Sequence, residues 1–105
     1  MSKVQIERVK RMESYLDEAG AAIAELAGAI DRYEKIQNKY YKLENYYGST
    51  KWMEDFEADE AGKLPDDLKR GVLSEDAVYD LITDHRELMT RMQRAVLRSM
   101  EDKEF

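Results

Sequence analysis

The chain has 105 residues, 38% of them charged and 43% hydrophobic, with no cysteine, one proline and a net charge of -6. That length suits one domain with a modest core, and the lack of cysteine excludes a disulfide scaffold, a thiolate metal site and a cysteine nucleophile. The acidic balance is a poor match for a phosphate backbone, no stretch approaches the roughly 18 apolar residues of a membrane span, and the opening MSKVQIERVK holds no apolar signal region. A soluble cytoplasmic protein that binds neither nucleic acid nor membrane is therefore expected.

The charge is concentrated. Residues 1–44 carry 8 basic and 8 acidic residues, whereas residues 45–84 carry 4 basic and 11 acidic, a net -7. Residues 85–105 carry 5 and 4. Balanced flanks are the pattern of solvated helix faces laced with opposite charges.

Residues 3 to about 47 read as one long helix. Ser2 followed by Gln5 fits a capping box. Apolar residues then recur at alternating steps of three and four: Val9, Met12, Leu16, Ala19, Ile23, Leu26, Ile30 and Tyr33. This is a heptad seam made for a partner helix. The phase slips after Tyr33, to Ile36, Tyr40, Leu43 and Tyr47, and Gly48 is placed to stop the helix. At 1.5 Å per residue the helix is roughly 65–70 Å long. Eight of the eleven residues 19–29 are Ala or Gly, and Gly20, Ala24 and Gly28 stand four apart on one ridge. That ridge suits a close helix–helix contact, although alanine is also simply the best helix former and the two glycines could mark a break.

Residues 48–73 change character, punctuated by Gly48, Gly62, Pro65 and Gly71. Ser49 or Thr50 is expected to cap a short helix running to Glu60, with Trp52, Met53 and Phe56 on one face. Pro65 is expected to open a second short helix, with Asp66 and Asp67 at its positive end. Gly71 is a candidate for positive φ, and Asp59, Asp67 and Asp76 for helix-capping carboxylates. The C-terminal helix is expected over about 75–101, capped by Ser74, with an apolar stripe of Val78, Leu81, Ile82, Leu88, Met89, Met92, Ala95 and Val96. The predicted architecture is all-α: a single domain over 1–105 in which the long N-terminal and C-terminal helices form an antiparallel hairpin capped by the short middle helices.

The first helix outruns the last by roughly 25–30 Å. An apolar seam left in water is unfavourable. The middle helices cover the excess, or a second copy does, or the long helix bends at its glycines.

Chemistry is sparse. Six of the ten aromatic residues fall at Tyr40, Tyr41, Tyr46, Tyr47, Trp52 and Phe56. Tyr40, Tyr47, Trp52 and Phe56 suit an apolar plug at the turn, and Tyr41 and Tyr46 lie off the seam as surface candidates. The acidic run Glu54, Asp55, Glu57, Asp59, Glu60 fails as a calcium loop: its sixth position is Glu60 where glycine is required, and its twelfth is Asp66 where glutamate is expected. It reads first as a solvated acidic face. His85, the one histidine, lies in the apolar stripe and is preceded at the Glu-x-x-His spacing by Ile82, so the carboxylate-bundle metal signature is missing. No catalytic residue, metal site or cofactor is assigned.

The segments Tyr46-Tyr47-Gly48-Ser49, Trp52-Met53-Glu54-Asp55, Asp59 to Pro65, Asp67 to Asp76 and Tyr79-Asp80-Leu81, after a helix opening with Ile6-Glu7-Arg8-Val9-Lys10-Arg11-Met12-Glu13, resemble a family of short bacterial proteins called domain of unknown function 4298. The resemblance spans nearly the whole chain. It implies a small bacterial helical protein and brings no activity, cofactor or site residue.

The expected role is a non-catalytic interaction or regulatory module. Its candidate surface is Tyr41, Tyr46, Trp52, Glu54, Asp55, Asp59 and Glu60, and its partner a basic protein. The alternative is a homodimeric scaffold whose seam, with Gly20, Ala24 and Gly28 in close contact, is the interface. A carboxylate metal protein is the third reading.

Overall fold

The computed structural model describes residues 2–101. It is all-helical: α1 spans Lys3–Tyr46, α2 Thr50–Glu60 and α3 Ala77–Glu101, with a single 3-10 turn at Gly71–Leu73 before α3. There is no strand among the described residues.

Local sequence codes explain most boundaries. The Ser2 backbone N–H donates to Gln5 Oε1 at 2.9 Å, and the Gln5 N–H donates to Ser2 Oγ at 3.1 Å, closing the reciprocal capping box. From there α1 runs unbroken through Gly20 and Gly28. The neighbouring alanines, the best helix formers, offset the entropic weakness of the two glycines. Gly48, at φ 79°, takes the left-handed conformation that ends the helix. Ser49 caps α2 by accepting from the Trp52 backbone N–H at 3.2 Å.

The end of α2 is a Schellman motif. Gly62 sits at φ 70°. Its N–H donates to the Asp59 carbonyl, while the Lys63 N–H reaches back to the Ala58 carbonyl at 2.9 Å.

The next segment departs from expectation. No second short helix opens at Pro65; one i→i+3 bond, from the Leu68 N–H to the Pro65 carbonyl at 3.2 Å, closes an isolated turn. Lys69 and Arg70 leave the turn path, and this lets the chain present Arg70 and the 3-10 turn to α2. Gly71 is not at positive φ. It starts the 3-10 turn, a conformation that requires no left-handed residue. Ser74 then joins two elements: its hydroxyl donates to the Gly71 carbonyl at 2.8 Å and accepts from the Ala77 N–H at 3.2 Å.

Tertiary contacts divide the chain into two compact units, meeting between Tyr40 and Tyr41. In the first, residues 2–29 are exposed throughout and Tyr40 is buried. In the second, Trp52, Leu73 and Val78 form the buried core. The expected α3 stripe is only partly covered. Val78 is buried and Ile82 and Met89 are half-buried, but Leu81, Leu88, Met92 and Val96 are exposed, as is every described residue from Thr90 on.

Candidate interaction surfaces

The second unit is stapled by five side-chain contacts that start from α2 or from the turn before it. The Trp52 indole stacks on Phe56 at 5.2 Å between ring centroids and takes the Tyr47 ring edge-on at 5.2 Å. Its Nε1–H donates to the Val72 carbonyl at 3.0 Å. The Tyr47 hydroxyl donates to the Glu75 carbonyl at 3.1 Å, just ahead of α3. Arg70 Nη1 pairs with Asp59 Oδ1 at 2.7 Å, with both side chains partly shielded from solvent.

Each member of the acidic and aromatic surface can now be placed. Trp52 is 7% exposed and belongs to the core. The Tyr46 hydroxyl donates to Asp55 Oδ2 at 2.6 Å. That hydrogen bond, then partial burial, then the Asp55 charge, push the Tyr46 phenol up to about 12. Asp59 holds Arg70 instead of a helix end. Tyr41 is 44% exposed and meets the His85 ring edge-on at 6.5 Å. Glu54 and Glu60 stand exposed on α2, with Glu57 between them. Trp52, Tyr46, Asp55 and Asp59 are thus engaged inside the second unit, while Tyr41, Glu54 and Glu60 face solvent.

Arg70 and the Val72 carbonyl are structural parts of this arrangement that the local sequence patterns do not pair with Asp59 and Trp52. The one signal for Arg70 is its position as a cation in a strongly acidic segment. The Val72 contribution is a backbone carbonyl and carries no side-chain signature.

The helical seam in the first unit is bare. Val9, Met12 and Leu26 are about half exposed, and Leu16 and Ile23 are 64% and 67% exposed. Gly20, Ala24 and Gly28 share this openness: a Cβ built at either glycine meets nothing within 4 Å. A contiguous apolar stripe of this length on a charged helix marks an interaction surface more strongly than scattered apolar residues do.

Among the described residues no group of three or more Asp, Glu or His side chains is placed to hold a metal ion. No described helix is long and apolar enough to cross a membrane.

Fold and surfaces together define a small all-helical protein whose distinctive features are a stapled acidic unit and an uncovered helical seam. The chain belongs to the family described as Domain of unknown function (DUF4298), whose model matches residues 9–95. No curated protein and no solved structure matches it.

Proposed function

We propose that this protein is a non-catalytic helical interaction module that associates with itself through the α1 seam. The observation that carries the reading is the exposure of Val9, Met12, Leu16, Ile23 and Leu26 along one unbroken helix. A bend at the glycines is disfavoured by the continuity of α1. A second copy carrying the same seam is the occupant this reading takes. In this reading the protein works as a small scaffold or regulator in the bacterial cytoplasm.

Light scattering on the full chain at tens of micromolar tests it. A dimer mass is expected, converted to a monomer mass by Leu16→Glu with Ile23→Glu. A wild-type monomer overturns it.

A second reading rests on the net -7 of residues 45–84, with Glu54, Glu57 and Glu60 exposed along α2. That face suits a basic protein partner. Binding of a lysine-rich peptide that weakens steeply with salt and is lost on charge reversal of the three glutamates is the expected result. Binding unaffected by those changes removes it.

A further inference from the structure

The order of side chains along the seam fixes how two copies fit. In heptad terms Leu16, Ile23 and Ile30 occupy one core position, and Met12, Ala19 and Leu26 the other. A parallel in-register pair would set Ala19 against Ala19, a thin layer between bulky neighbours. An antiparallel pair centred level with Ala21 sets Ala19 against Ile23, Leu16 against Leu26 and Met12 against Ile30. Ala19 is then backed by a bulky Ile23 instead of by a second alanine, which evens the layers relative to the parallel pair.

The flanks agree. In an antiparallel pair like flanking positions face each other. In this register Gly20 meets Gly20 and Ala22 meets Ala22, so the backbones approach without obstruction at the two-fold axis. Glu13 falls opposite Ala27. Sliding one helix by a heptad toward the C-terminal end instead opposes Glu13 to Glu34 twice, a like-charge contact. A parallel pair would gain only exposed Arg8–Glu13 pairs, which are worth little. It would also bring both copies' residues 45–84, each at net -7, to the same end of the coil.

We propose that α1 pairs with α1 of a second copy in antiparallel orientation, centred level with Ala21, so that Ala19 of each copy faces Ile23 of the other. This deepens the self-association reading and rests on it.

The chain contains no cysteine, so introduced thiols are the only ones present. Three full-length variants are oxidised in a glutathione buffer and run on non-reducing gels: Ala19→Cys, Ile23→Cys and the double substitution. Facing core positions lie within the roughly 4.4–6.8 Å Cα separation that a disulfide spans. In the antiparallel pair the two copies of position 19 lie about a helical turn apart along the axis, as do the two copies of position 23. The double variant is expected to give at least fivefold more covalent dimer than either single one. Single variants that cross-link as well as the double one indicate a parallel pair and overturn the orientation. A dimer by light scattering with no covalent dimer from any variant, all remaining helical by circular dichroism, overturns the register. A monomer by light scattering defeats the underlying self-association reading instead.

Discussion

The indole N–H of Trp52 donates to the carbonyl oxygen of Val72 at 3.0 Å, joining residues 20 positions apart. This bond ties α2 to the 3-10 turn that precedes α3, and the same ring stacks on Phe56. Replacing Trp52 by phenylalanine keeps much of the apolar area but strips the Val72 carbonyl of its donor, at a cost of about 1 kcal/mol. Alanine also removes the ring packing, and the loss rises to about 3–5 kcal/mol. Urea unfolding followed by circular dichroism measures both. Equal losses for the two variants would show that the bond, not the ring, carries the contribution.

The Tyr46–Asp55 bond gives a pH dependence of definite sign. The phenol is held up to about 12 from an ordinary 10.0, so the protonated form is favoured by folding. Its stabilising contribution is complete below pH 10 and falls as pH rises from about 10 through 12. In a tyrosine absorbance titration, Tyr46 is expected to ionise late in the wild type. In Asp55→Ala its titration moves back toward the ordinary range. Superimposable curves for the two proteins would contradict the bond.

The glycines separate by backbone conformation. Gly62→Ala forces a Cβ into a left-handed residue and is expected to destabilise by about 1 kcal/mol or more. Gly71→Ala, with ordinary φ and open space around it, is neutral or mildly stabilising. Gly28→Ala, in mid-helix with open space, gains about 0.5–1 kcal/mol. Thermal unfolding of the three variants side by side checks the ranking.

The Arg70–Asp59 pair is partly shielded, its side chains 35% and 23% exposed. Arg70→Met is expected to cost about 1 kcal/mol at low salt, allowing for solvent screening. The difference from wild type should shrink in 1 M salt. A deficit unchanged by salt would assign the loss to packing of the Arg70 stem.

The caps are written in short-range code and are legible in the amino-acid order itself: Ser2 with Gln5, Gly48 and Ser49 each act within about four residues. The two long helices follow from periodicity. The middle segment is less legible because its conformation is decided by distant partners. Pro65 and its two aspartates read locally as a helix start, yet the chain there turns once and passes on, carrying Arg70 to Asp59 and the Val72 carbonyl to Trp52. Those bonds span 11 and 20 residues, beyond the reach of any local pattern. Gly71 misleads for the same reason: a glycine between turns suggests positive φ, but the chain there forms a right-handed 3-10 turn. Of the surface candidates, the exposed glutamates are solvated, as their pattern implies. The internal role of Asp55 and Asp59 depends on Tyr46 and Arg70 being brought to them.

The capping box at Ser2 and Gln5 has a thermodynamic consequence for any partner of the seam. Because α1 is helical from Lys3 onward with its first orphan donors satisfied, docking does not have to order a disordered strand of chain. The conformational entropy has been lost in advance, so more of the free energy of burying Leu16 and Ile23 is realised as affinity. Association should therefore leave the far-UV circular dichroism per residue unchanged across dilution, even where the mass changes.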